Sequence, residues 1–421
     1  MKADKILYNL EEVFSPKDLG RPLRGKEMNE ADILKNAYIA IKDGKILQIG
    51  QGDAYKSLQD EHTKMVDLKG CVATPGLIDA HTHLVYGGSR ENEFAMKLNG
   101  MKYLDILAAG GGILSTLKAT KEASFETLYD KTRNLVEQFM IHGVTAVEAK
   151  SGYGIELDTE VKELEVIKKI NEDLKVELVP TFMAAHVIAE KYKDDPDKYV
   201  DIVIDMMPKI KEKGLAEFCD VFCEKDVFTA EQSKRILEEA RKNGFKLRIH
   251  SDEIADIGGT KVASELKVRS AEHLMVISDE SIKALAENNV IGNLLPGTTF
   301  SLMEDTYAPA RKMLENGMAI TLCTDSNPGS CPTANLQFIM QLGCFALKLT
   351  PIEVFNAVTI NAAYSIDRAK TMGSFEEGKA ANISVFEAKN LDYLLYFFAT
   401  NLCKKVYIDG ELVVDQRQLV K

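Results

Sequence analysis

Five of the chain's seven histidines stand where short apolar runs end, the placement that lets imidazoles from separate strands converge on one ion. His81 and His83 close GLIDAHTH, His186 closes VELVPTFMAAH, His250 lies in FKLRIHSDE and His273 in VRSAEHL. Asp325 ends a further run, AITLCTDSN. Side chains alternate along a strand, so His81 and His83, two residues apart, face the same way. Alone, such a pair is more often two solvated loop histidines than a metal site. The weight comes from the other strand ends, where a scatter of satisfied core histidines would not collect. Three or four neutral imidazole nitrogens and one carboxylate suit zinc, or iron in a site leaning towards octahedral. A divalent ion there lowers the pKa of its water and polarises a carbonyl. Asp325 can take a proton from that water, and Glu253, three residues past His250, is near enough to protonate a leaving nitrogen. That pairing of acid–base groups beside a metal suits amide hydrolysis. The plainer reading of Glu253 is a helix-start carboxylate. His62 and His142 fall outside the pattern; His142, before Gly143 at a helix end, suits a cation facing the helix dipole.

The elements that must hold these residues alternate. Eight short apolar runs, from GLIDAHTH to AITLCTDSN, are separated by helix-like segments such as SFETLYDKTRNLVEQFMIHG and TAEQSKRILEEARKNG. Both segments open on Ser or Thr as an N-cap, carry Glu within three residues and close at Gly. Eight strands, most followed by a helix, predict an α/β fold of the (β/α)₈ TIM-barrel type, whose strand ends share one rim. AYIAIKDGKILQIG and KKVYIDGELVVD each alternate about an Asp-Gly pair, Asp43-Gly44 and Asp409-Gly410, and predict hairpins. Hairpins near both ends predict one small β-sandwich domain from residues 1–73 and 372–421, around a catalytic barrel at 74–371.

The 421 residues, 45% hydrophobic and 28% charged, are those of a globular chain long enough for such a barrel plus an attached domain. No run approaches a membrane span, and MKADKILYNLEEVF lacks the apolar core of a signal peptide. The seven cysteines are odd in number and scattered without a CxxC pair, which argues for reduced thiols and a cytoplasmic protein. A net charge of −12 argues against nucleic acid as a partner. No P-loop or GxGxxG fingerprint is present; Gly87, Gly88, Gly152 and Gly154 read as turn formers.

The segments TPGLIDAHTHLVYGGSRENEF, AKSGYGIE, VPTFMAAH, IHSDE, AEHL, LLPGTTFSL and CTDSNPGSCPT are together similar to those of the amidohydrolase superfamily, over essentially the whole chain. The resemblance implies that His81, His83, His250 and Asp325 bind one zinc or iron ion per subunit. It implies that His273 lies beside the metal's water and, with Glu253, helps to activate it. The reaction it implies is hydrolysis of a ring C–N bond, opening imidazolonepropionate to N-formimino-L-glutamate in histidine degradation. This small anionic substrate carries a carboxylate tail, for which Arg90 in GGSRENEF offers a planar fork and Tyr153 a hydroxyl. Without the resemblance, a surface salt bridge is an equal reading of Arg90. By the same resemblance His186 and Glu253 lie against the substrate, Asn327, Gly329 and Ser330 line the pocket, and the protein is a homodimer. One departure stands out: TFMAAHVIAEKY has Ala where the family usually has Gly, and lacks the prolines that usually follow, which predicts a tighter backbone at His186.

Some superfamily members bridge two metals through a modified lysine on the fourth strand. Here that strand ends FCEKD, and Glu224 and Lys225 point to opposite faces, so an inward Glu224 leaves a single-metal site. Lys150 reads as support near the binding loop and Cys331 as packing. Two rivals share the ligand pattern, a formiminoglutamate deiminase and a nucleobase deaminase. A rival of another class is a non-catalytic barrel used for assembly, which would be expected to have lost metal ligands.

Overall fold

The computed structural model describes residues 1–101 and 111–420. Eight parallel strands run in chain order around one sheet: Leu77–Asp79, Val144–Lys150, Glu177–Ala185, Phe218–Cys223, Lys246–Ser251, Ser270–His273, Ile291–Leu294 and Ala319–Leu322. Each pairs only with its sequence neighbours. Most are buried end to end, as Val144–Lys150 is, because helices cover the outside and side chains fill the inside. The first and last strands meet just beyond their regular ends. Thr82 bridges Ser326, Asp325 N–H donates to His81 O at 3.1 Å, and His83 N–H donates to Ser326 O at 2.9 Å. The seam that closes the barrel is therefore made by the backbone of three residues expected to bind metal.

The helices follow the predicted starts and stops closely. Ser124 caps Phe125–Ile141 by accepting from Thr127 N–H, and Gly143 ends it at φ +97°. Thr229 caps Ala230–Lys242 in a reciprocal box, but the partner is Gln232 at the third helical position rather than Glu231, since only that position reaches back to the cap's N–H. His142 is not a cation at its helix end: burial pushes its pKa down, and its Nδ1 lies 2.8 Å from Gln138 O, so it caps that carbonyl as a neutral donor.

Both chain ends build one mixed sheet of nine strands. Its path runs from Gln418–Leu419 through Glu411–Asp415, Cys403–Ile408, Ile383–Phe386, Val72–Pro75, Lys5–Pro16 and Ala31–Lys42 to Lys45–Gln51, with Lys64–Asp67 beside Lys5–Pro16. The two Asp-Gly hairpins form with positive φ at both turn residues, 49° and 73° at 43–44 and 48° and 72° at 409–410. They also touch each other through Ala381, whose N–H donates to Gly44 O while its carbonyl accepts from Gly410 N–H. Leu7, Leu10, Ile39, Ile41, Ile383, Val385 and Tyr407 share one core between the sheet's halves, giving it a sandwich form. Among the described residues, no helix is long and apolar enough to cross a membrane.

Candidate metal centre and active site

His81 and His83 lie on the seam just past the first barrel strand, while His250 and His273 end the fifth and sixth. Four atoms converge. His83 Nε2 is 3.3 Å from His250 Nε2, and Asp325 Oδ1 is 3.4 Å from His81 Nε2 and 3.5 Å from His83 Nε2. Donors at about 2.1 Å from a common tetrahedral centre stand about 3.4 Å from one another, so the set has the dimensions of a metal cradle. All four side chains are buried, and His81 Nε2 has no hydrogen-bond partner, an arrangement that costs free energy unless a cation receives the lone pair. The rings are held from behind. Nδ1 of His81 lies 2.9 Å from Glu272 and Nδ1 of His250 lies 3.0 Å from Asp220, which presents the Nε2 lone pairs inward.

Burial and the neighbouring positive charges press the pKa values of His81 and His83 well below the ordinary imidazole value, so both rings are neutral, the form that can bind a metal. Asp325 keeps Oδ1 towards the histidines while Oδ2 accepts from Thr298 Oγ1 at 2.6 Å. Asp252, His273, Leu274 and Asp325 all have φ between 53° and 71°, a conformation that L residues adopt at a cost. Glu253 Oε2 is 3.6 Å from His273 Nε2, and burial raises its carboxyl to about 7.

The other expected residues surround this centre. His186 stacks on His83 with ring centroids 4.8 Å apart, and Tyr153 lies 5.2 Å from His186 and 6.2 Å from His83. The alanines before His186 sit in a strand whose register slips between Phe182 and Ala185. Arg90 is not a free fork: its Nε and Nη2 grip the buried Glu93, leaving Nη1 against Gly329. Asn327 spends its amide inside its own loop. Its Nδ2 donates to Asp325 O and Ser330 Oγ, and its Oδ1 accepts from Gly329 and Ser330 N–H, so it fixes the shape of that loop. Ser330 Oγ lies 3.4 Å from Asp325 Oδ2.

Glu224 faces inward and Lys225 is exposed, which removes a bridging lysine at that position. Glu224 has a further use that the sequence reading missed: it accepts from Ile254 and Ala255 N–H and so clamps the loop carrying Glu253. Glu93 was missed as well, although its place three residues after Arg90 is a signal for a helical ion pair. Cys331 packs against Gly297, and burial raises its thiol pKa, consistent with a packing role.

Residues 72–413 match the model of the Amidohydrolase family. The chain is 61% identical over all of its 421 residues, and all of the relative, to the imidazolonepropionase of Streptococcus sanguinis. It belongs to the amidohydrolase family, in the imidazolonepropionase branch. Distant solved structures share the fold: a triazine hydrolase variant, 18% identical, superposes at a TM-score of 0.76 over 99% of this chain and 96% of that one. An adenosine deaminase from Xanthomonas campestris with bound zinc, 16% identical, reaches 0.73 over 100% and 94%. Among the described residues, the buried cluster of His81, His83 and His250 could hold a metal ion.

Proposed function

We propose that this amidohydrolase opens imidazolonepropionate by adding water across a ring C–N bond, giving N-formimino-L-glutamate in histidine degradation. The observation that carries the reading is full-length similarity at 61% identity to a protein of that name, in a chain whose four donor atoms converge as a metal cradle. His81, His83, His250 and Asp325 are the proposed ligands of one zinc or iron ion per subunit; a neighbour of this fold holds zinc. Bound there, such an ion supplies Lewis acidity, acidifying water and polarising the ring carbonyl.

The chain's own residues supply the rest. Asp325 receives the water's proton at its carboxylate, held in place by Thr298. His273, next to Glu253, orients the attacking oxygen by hydrogen bonding. Glu253, protonated near neutrality because it is buried, delivers a proton to the departing nitrogen. Arg90 and Tyr153 receive the propionate carboxylate, and His186, Asn327, Gly329 and Ser330 complete the pocket. A homodimer in the cytoplasm is the setting we propose, in keeping with the scattered free cysteines.

Metal-analysed protein incubated with imidazolonepropionate should consume its ultraviolet absorbance faster than a no-enzyme control. Formiminoglutamate and guanine, assayed beside it, should be inert. Turnover of either one instead would move the assignment to a deiminase or a nucleobase deaminase.

A further inference from the structure

Beneath the histidines lies a charge cluster that the proposed chemistry does not use. Glu148, Lys150, Asp220, Arg248 and Glu272 come from four barrel strands, and the side chain of each is 0% exposed. Lys150 Nζ is 2.8 Å from both Glu148 Oε1 and Asp220 Oδ2. The other oxygen of Asp220 faces His250 Nδ1. Glu272 mirrors it: Oε2 faces His81 Nδ1, while Oε1 accepts from Ser270 Oγ at 2.5 Å and lies 3.5 Å from Arg248 Nη1. Arg248 also donates to Ala80 O at 3.1 Å, beside His81. Thr82, between the two seam histidines, donates to Glu148 O at 2.6 Å and accepts from Lys150 N–H at 3.1 Å.

Buried charges are costly unless paired, and an ionised carboxylate behind an imidazole needs a cation of its own to remain in place. Three carboxylates against two cations leave one net negative charge under the donor set, which favours a divalent ion above it. Lys150 thus backs Asp220 behind His250 and Arg248 backs Glu272 behind His81, while Glu148 lies against both cations.

We propose that Lys150 is a positioning residue for the metal centre: by holding Asp220 against His250, it sets how tightly the ion is kept without touching it. Arg248 does the same for Glu272 and His81. The inference rests on the ligand set proposed above, so wild-type protein is measured first, as metal per subunit and as the rate at which a chelator strips it. Failure to retain one ion per subunit would sink the ligand reading itself.

Given one retained ion, Lys150→Met should speed chelator stripping and weaken the metal about 10–100-fold, the usual effect of losing an outer-shell partner. Its cobalt-substituted form should show shifted visible bands, which a purely structural role would leave alone. Because removing a buried partner can prevent folding, Asp220→Asn is measured in parallel; it leaves Lys150 paired with Glu148. Asp220→Asn should also lose metal at least tenfold faster while its metal-free form stays folded by circular dichroism. If Lys150→Met folds and strips at the wild-type rate with unchanged cobalt bands, the proposal is overturned. If Lys150→Met does not fold, Asp220→Asn decides, and wild-type stripping there overturns the proposal in the same way.

Discussion

Gly329 lies flat beneath the guanidinium of Arg90: a side-chain carbon on the glycine would come within 2.8 Å of Arg90 Cζ and overlap Nη1. The guanidinium cannot lift away freely, because Glu93 holds its other edge and also accepts from Gly112 N–H at 2.7 Å. Gly329→Ala therefore pushes Arg90 out of register with the pocket. KM for imidazolonepropionate should rise about tenfold or more with kcat within about twofold, since this contact serves ground and transition states alike. Steady-state kinetics check it. A KM at the wild-type value would show that the guanidinium does not meet the substrate.

Arg90→Ala removes the cation outright. Hydrogen bonds to charged groups contribute about 1.5–3 kcal/mol, which corresponds to a KM increase of about 10–150-fold. Arg90→Lys should recover little, because a point charge cannot keep Glu93 and bind a carboxylate with the same planar edge. Full recovery with lysine would argue for simple charge attraction instead.

Asp325→Asn keeps the shape of the side chain and the Thr298 contact but removes the basic oxygen. Turnover should fall about 10²–10⁴-fold, the usual share of a positioned general base. The far-ultraviolet circular dichroism spectrum should not change. Retention of a tenth of the wild-type rate would exclude Asp325 as the proton acceptor.

Glu160 tests the electrostatics of the loop that carries Tyr153. It is buried beneath residues 151–155, accepting from Gly154 N–H at 2.9 Å and Ile155 N–H at 3.0 Å, and burial raises its pKa from 4.5 to about 6. The folded state thus holds the proton more tightly than the unfolded one. Its stabilising contribution is complete below pH 4.5 and is lost as pH rises through about 6. Glu160→Gln retains an acceptor but cannot ionise. Relative to wild type it should gain about 2 kcal/mol between pH 4.5 and 7.5, read from urea midpoints. Parallel stability curves for the two proteins would contradict the burial argument.

Much of this was legible in one sequence because the signals are local. Strand alternation and run ends found His81, His83, His250, His273 and Asp325, and Asp-Gly pairs found both hairpins. Cap residues found the helix starts at Ser124 and Thr229. Most of what stayed hidden depends on partners distant in sequence. Glu224 looks like any strand-end acid until the fifth strand's loop arrives 30 positions later to be clamped by it. Asp220 and Glu272 read as ordinary carboxylates inside apolar runs, and only closure of the barrel turns them towards the back of a histidine. Arg90 was legible as a cation, but its grip on Glu93 depends on how a short helix, Glu91–Leu98, is rotated.

The barrel's seam carries a temporal consequence. Thr324 N–H reaches the Asp79 carboxylate across 245 positions, so the two edges that flank the cradle leave the ribosome far apart in time. A nascent chain short of its last quarter has three imidazoles and no aspartate to complete them. Capture of the ion therefore belongs to the final stage of assembly, and contacts this distant in sequence make that stage slow. Pulse-labelled chains should therefore stay protease-sensitive until the segment carrying Thr324 has been made and has closed on the first strand.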